Sequence, residues 1–344
     1  MRLGVLDVGS NTVHLLVVDA HRGAHPTPMR SEKSVLRLAE QITDGDRLSD
    51  EGAELLVDAV ANARESAVGF GCAELMAFAT SAVREASNSA EVLALVHERT
   101  GVELKVLSGE DEARYTFLAV RRWYGWSAGN TVVLDIGGGS LEIAVGIDED
   151  PDLALSLPFG AGRLTRTRFA SDPPTKREVR ELRERLDAEL APVARRLRKI
   201  GPPDHAVATS KTFRTLARLT GAAPSSAGPM ARRTLTDAGL RQLIAFISRM
   251  SAADLAELEG VSHSRAHQLV AGALVAEAAM RALSLSELEI CPWALREGVI
   301  LRRLDQTEEA VQTAPAVNGS IDQLSGRQDH SSGRTGRYGA RWTQ

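Results

Sequence analysis

One stretch of this chain occurs twice. Val5-Leu6-Asp7-Val8-Gly9-Ser10-Asn11-Thr12-Val13-His14-Leu15-Leu16-Val17 comes near its start. Val133-Leu134-Asp135-Ile136-Gly137-Gly138-Gly139-Ser140-Leu141-Glu142-Ile143-Ala144-Val145 returns in its middle, aligned without a gap. Each copy reads as a buried strand ending on an Asp, a tight Gly/Ser turn and a second apolar strand, that is, a β-hairpin with a polar, glycine-bearing tip. The duplication predicts two structurally related halves that face each other.

Around the repeats, strand and helix patterns alternate, which indicates α/β architecture. Residues 49–68 read as a helix capped by Ser49, with Leu55, Leu56, Ala59, Val60 and Ala63 on one face. Residues 74–80 and 104–107 read as strands, each leading into a helix. In the second half, Val179, Leu182, Leu186, Leu190, Val193 and Leu197 recur at helical spacing. Further helices are expected over 240–250, 266–283 and 294–304, and strands near 206–209 and 289–291. With 344 residues, the chain divides naturally into units over 1–126 and 127–305, each long enough for its own core. After about Asp305 the composition turns to Gln, Ser, Gly, Thr, Asp and Arg, which predicts a disordered polar tail over 306–344.

A formal net charge of -4 rules out bulk electrostatics as a means of holding nucleic acid, so any bound polyanion needs a local basic site. The run Arg195-Arg196-Leu197-Arg198-Lys199 reads as a solvated helix face. Cys72 and Cys291 stand far apart in no metal-ligand spacing and read as reduced thiols. The first apolar run is short and carries Asp7, and no stretch has the roughly 20 apolar residues of a membrane span. A cytoplasmic protein with no membrane or nucleic-acid partner is expected.

The hairpin tips carry the chemistry. Backbone N–H groups splayed around a tight turn hold phosphate well, and glycine permits close approach and positive φ. Gly9, Ser10, Asn11 and Thr12 supply one such turn; Gly137, Gly138, Gly139 and Ser140 supply the other. Asp7 and Asp135 would face each other across the cleft and repel a phosphate unless a cation stood between. Mg2+ suits this, since it takes oxygen ligands, keeps waters and bridges carboxylates to phosphate. Glu142 is a further candidate ligand. The competing readings are turn capping for the two Asp residues and a solvated strand position for Glu142.

The pattern resembles the actin-like ATPase superfamily, which binds ATP between two RNase H-like domains. Three more stretches narrow it: Thr80-Ser81-Ala82-Val83-Arg84-Glu85-Ala86, Ser108-Gly109-Glu110-Asp111-Glu112-Ala113-Arg114 and Ala294-Leu295-Arg296-Glu297-Gly298-Val299-Ile300. With the two turns they resemble the exopolyphosphatase/guanosine pentaphosphate phosphohydrolase family over about residues 3–304, in particular its short, two-domain actinobacterial exopolyphosphatases. The resemblance implies Glu112 as the catalytic glutamate that orients and deprotonates the attacking water. It implies Asp135 and Glu142, supported by Asp7, as the magnesium-associated acids. Ser10, Asn11, Gly138, Gly139 and Ser140 match phosphate-loop positions, and Arg84 matches an arginine that contacts phosphate. It also implies a homodimer. On the residues alone, Glu112 reads equally as an acid favoured at a helix N-terminus.

One region departs from the family pattern. Where many members have a Gly-Thr turn, this chain reads Thr209-Ser210-Lys211-Thr212-Phe213-Arg214. Bulky Lys211 and Phe213 suggest weakened purine binding. Lys211 and Arg214 then hold further phosphates or are ordinary surface cations. The expectation is hydrolysis of inorganic polyphosphate, with short chains preferred because the extra C-terminal domains are missing. Guanosine pentaphosphate is the alternative substrate. A nucleotide-gated binding module and a sugar or acid kinase are the other classes considered.

Overall fold

The computed structural model describes residues 1–43 and 45–313. The first sheet contains β1 (Arg2–Val8), β2 (Thr12–Asp19), β3 (Pro28–Val35), β4 (Glu74–Ala79) and β5 (Lys105–Val106) in the order β3-β2-β1-β4-β5. The second contains β6 (Thr131–Ile136), β7 (Leu141–Gly146), β8 (Leu153–Leu157), β9 (His205–Ala208), β10 (Thr234–Thr236) and β11 (Glu287–Ile290) in the order β10-β11-β9-β6-β7-β8. Set β8-β7-β6-β9-β11 beside β3-β2-β1-β4-β5 and the plan is the same. Two antiparallel pairings are followed by two parallel ones, with β10 added at the second sheet's edge. This is the α/β, actin-like arrangement of two RNase H-like units, and both repeats form the hairpins β1–β2 and β6–β7.

Strand alternation decides which side chains face where. In the first sheet, Leu6, Val8, Val13, Leu15 and Val17 pack with Leu56, Val57 and Val60 of helix Asp50–Gly69 and with Val92 and Val96 of helix Ser89–Thr100. Leu3, Val5, Leu16 and Val18 face the other way and meet Ile300 of helix Leu295–Thr313. In the second sheet, Val132, Leu134, Ile136, Leu141, Ile143 and Val145 enter the largest core, built with helices Lys176–Leu197, Ser210–Leu219, Asp237–Ile247 and Leu269–Ala282. Val133, Ala144, Ala154 and Val207 face helix Gly109–Tyr124 through Ala113, Phe117 and Val120.

Helices Gly109–Tyr124 and Leu295–Thr313 therefore lie between the two sheets. A Cβ placed on Gly298 would stand 1.9 Å from the Tyr115 carbonyl oxygen, so their backbones all but touch. The packing crosses the sequence boundary at 126. Helix Gly109–Tyr124 lies on the second sheet, and the last helix returns to the first. Hydrophobic spacing reveals that a helix has an apolar face but not which sheet it covers.

Asp7 shares strand parity with Leu3 and Val5, Asp135 with Val133, and Glu142 with Ala144, so all three carboxylates point into the space between the sheets. The last helix also runs past the compositional change near Asp305. Asp305 pairs with Arg122 at 2.7 Å, and the helix continues to Thr313. The rest of the tail expected from the sequence, 314–344, lies outside the described residues.

Candidate active site

The two glycine turns close alike: Gly9 N–H donates to Thr12 O at 3.0 Å, and Gly137 N–H to Ser140 O at 2.9 Å. None of Gly9, Gly137, Gly138 and Gly139 has positive φ, so positive φ is not why glycine is used here. The reason is crowding. A Cβ on Gly138 would come within 2.9 Å of Ser10 Cβ, and one on Gly139 within 2.4 Å of Ser81 Oγ. The turns press against each other across the two units. Ser10 and Ser81 hydroxyls share a hydrogen bond of 2.9 Å, and Gln268 Nε2 donates to Asn11 Oδ1 at 3.0 Å.

The turns open into a cleft of about 340 Å3. Of the residues singled out from the sequence, Asp7, Gly9, Ser10, Asn11, Thr12, Glu112, Asp135, Gly137, Gly138, Ser140, Glu142 and Lys211 all line it. Gly139 lines a second cavity behind the turns instead. Arg84 also lies off the cleft wall. It donates to Leu107 O at 2.9 Å and forms a short ion pair with Glu112. The structure thus gives Arg84 a contact with the glutamate rather than a free side chain in the cleft.

Helix Gly109–Tyr124 delivers Glu112. Ser108 caps it by accepting from Asp111 N–H at 3.0 Å, and Glu112 sits in its first turn, 8% exposed. Burial pushes the Glu112 carboxyl up to about 7, against the pull of the Arg84 charge. Asp135 is pushed up to about 6 by burial, opposed by the Thr209 hydroxyl that donates to it. Glu142 accepts from Ser156 Oγ at 2.8 Å. Its carboxyl is raised well above the usual range by burial and then by the charges of Glu112 and Asp135. Asp7 is raised by burial, with Arg296 and Arg265 pulling it down. Four carboxyl groups whose pKa values are all raised, burial being the largest cause in each, thus share one polar cleft.

Among the described residues, no three His, Cys, Asp or Glu side chains converge closely enough to cage a metal ion. The chemistry of the donors nonetheless fits Mg2+, which is commonly held by one or two carboxylates with waters and substrate phosphates rather than by an all-protein cage.

Lys33, Lys211, Arg214, Arg265 and Arg296 line the same cleft. Burial lowers Lys211, and the neighbouring charges of Arg214, Arg265 and Lys33 lower it further, as expected in a group of cations short of anions. Lys211 and Arg214 are therefore cleft residues. Phe213 is not: it is fully buried in the second core, because helix Ser210–Leu219 turns Phe213, Leu216 and Ala217 inward. The suggestion that Phe213 obstructs a purine is thereby removed. Ser210, at the head of that helix, has φ 68, the region that favours glycine, and its buried hydroxyl has no hydrogen-bond partner. Sequence reasoning missed Lys33, Ser81, Arg265, Arg296 and Gln268. Arg265 and Gln268 sit on a short 3-10 helix, His263–Gln268, with no glycine or repeat to mark it. Ser81 and Arg296 lay inside quoted motifs without a role.

Residues 17–307 match the model of the Ppx/GppA phosphatase family. "Exopolyphosphatase 1" of Mycobacterium tuberculosis is 63% identical over 329 residues, which is 95% of this chain and 96% of that protein. A crystal structure of the Aquifex aeolicus Ppx/GppA family member aligns with TM-score 0.75 at 26% identity, over 89% of this chain and 98% of that one. A Cytophaga hutchinsonii exopolyphosphatase structure at 23% identity shares the fold with TM-score 0.80, over 89% of this chain and 98% of the other. By sequence over nearly its whole length and by the plan of both sheets, the chain belongs to the Ppx/GppA phosphatase family.

Proposed function

We propose that this chain is an exopolyphosphatase, hydrolysing the terminal phosphoanhydride bond of inorganic polyphosphate. The observation that carries the reading is the meeting of two phosphate-type turns, a buried glutamate near neutral pKa and five cations in one cleft. The near identity in length with a relative named for this activity supports it.

Phosphoanhydride hydrolysis asks for positioning and charge neutralisation more than covalent chemistry. The N–H groups of the two turns, with Ser10 and Ser140, hold the terminal phosphoryl group. Glu112 accepts a hydrogen bond from water and takes its proton as the water oxygen attacks phosphorus. The bridging P–O bond breaks, and its electrons leave with the shortened chain. A carboxyl poised near pH 7 suits a base that must release its proton again each cycle. Lys33, Lys211, Arg214 and Arg265 hold the following phosphates. Of Asp7, Asp135 and Glu142, one or two would hold Mg2+ together with water and phosphate oxygens, and the ion would supply charge neutralisation between the carboxylates and the phosphoryl group.

The preference for short chains, a homodimer and a cytoplasmic setting belong to the same proposal. No helix among the described residues is long and apolar enough to cross a membrane. A phosphate-release assay across polyphosphates of defined length, with guanosine pentaphosphate and ATP in parallel, tests the function. Release from polyphosphate well above both nucleotides is expected. Preferential hydrolysis of guanosine pentaphosphate, or transfer from ATP to an acceptor, would overturn it.

A further inference from the structure

Three successive carbonyls of the second glycine turn are bound by one short stretch of chain. Ala161 N–H donates to Gly137 O at 3.0 Å and Arg163 N–H to Gly138 O at 2.9 Å, both from the start of helix Ala161–Arg168. The third, Gly139 O, accepts from Arg163 Nε at 3.0 Å. In a planar trans peptide the C=O and N–H point to opposite sides. The N–H groups of Gly138, Gly139 and Ser140 are therefore turned away from these donors, and Gly138 and Ser140 line the cleft.

The first turn is held differently. Ser10 O accepts from Ala39 N–H at 3.0 Å, and Asn11 O from Leu36 N–H at 3.1 Å and Arg37 N–H at 3.0 Å, all main-chain donors. Gly139 O is the counterpart of Asn11 O in the repeat, and among the described residues its donor is a side chain. Gly139 has no Cβ to restrict rotation of the peptide that follows it, so this bond decides where Ser140 N–H points. The same guanidinium pairs with Glu85, which follows the short helix Ser81–Arg84. That helix carries the Ser81 hydroxyl bonded to Ser10. A planar guanidinium serves both contacts at once, so the tie on the second turn reaches into the first unit.

We propose that Arg163 is a positioning residue for hydrolysis: it aims the Ser140 N–H at the terminal phosphoryl group, and Glu85 steadies it from the opposite unit. The inference rests on the exopolyphosphatase reading. Arg163 does not touch the phosphate itself. Its effect falls on the transition state, where a correctly placed donor matters most. The following phosphates, held by Lys33, Lys211, Arg214 and Arg265, are bound as before, so kcat falls and KM does not.

The test is steady-state phosphate release by the full chain on polyphosphate of defined length, with Arg163→Ala, Glu85→Ala and the double variant. Loss of one such donor costs about 10²–10³-fold in rate. A donor freed to swing retains part of this, so Arg163→Ala is expected to lose about tenfold or more in kcat with KM within about twofold. Millimolar guanidinium, filling the place of the lost group, recovers several-fold in Arg163→Ala and nothing in the parent. The smaller loss in Glu85→Ala vanishes when Arg163 is already absent. Arg168→Ala, an exposed position on the same helix, keeps parent kcat. Parent-like kcat in Arg163→Ala, a loss carried by KM, or no recovery with guanidinium whatever the melting temperature would overturn the positioning role. If the parent releases no phosphate from polyphosphate, the proposed function fails and this role with it, so the two failures are told apart.

Discussion

Gly160 is where a single methyl group tests the architecture. It precedes helix Ala161–Arg168 with φ -68 and ψ 146, a conformation alanine adopts freely, so Gly160→Ala introduces no backbone strain. Its new Cβ would stand 2.2 Å from Gly139 C, 2.3 Å from Ser140 N and 2.4 Å from Gly139 N. Carbon contacts relax to about 3.5 Å or more, so the phosphate turn or the helix start must move by about 1 Å. The obstacles are backbone atoms and cannot rotate aside. Overpacking of this kind costs about 1–3 kcal/mol of stability. A misplacement of about 1 Å at a reacting group costs on the order of 10²-fold in rate. We expect Gly160→Ala to remain folded, to melt lower and to lose about 10²-fold in kcat for phosphate release. Gly69→Ala, where nothing stands within 4 Å, is the control and keeps full turnover. Parent-like kcat and melting in Gly160→Ala would refute the claim that this turn is pinned from behind.

Glu112→Gln keeps polyphosphate binding and loses about 10²–10⁴-fold in turnover, the usual worth of a general base; binding by calorimetry and single-turnover quench separate the two. Arg84→Ala removes the positive charge that holds the Glu112 carboxyl down, so the acid limb of the pH–rate profile moves to higher pH; an unmoved limb contradicts the pairing. In metal-free buffer the raised carboxylates make the folded state bind more protons than the unfolded one, so stability falls as pH rises from about 4 towards 7. For Asp135, raised from 3.8 to about 6, that loss is about 3 kcal/mol. Urea melts with EDTA at both ends of this window measure it, Asp135→Asn flattens the slope, and Mg2+ restores stability more at the upper end.

The hairpin repeat made both sheets' central strands legible, because a strand's apolar run and its Gly/Ser tip are local signals. The same signals placed Asp7, Asp135 and Glu142 at one cleft, since alternation along a strand fixes the face of each residue. Non-local features were not legible. Glycine at 138 and 139 answers to Ser10 and Ser81 of the opposite unit, and no local rule for turns contains that contact. Helix Gly109–Tyr124 was expected, but its crossing to the second sheet was not. Strand β3 was missed because its side chains are largely exposed, and β8 because it is short and only partly buried. Arg265 and Arg296 come to the cleft on elements whose own sequence gives no reason to expect an anion.

The most direct measurement is a crystal structure with Mg2+ and a non-hydrolysable polyphosphate. The terminal phosphoryl group should lie within about 2.6–3.2 Å of donors from both turns, with a water at the same range from the Glu112 carboxylate. An anion gripped by one turn alone, or seated beyond the reach of any water on Glu112, would contradict the account.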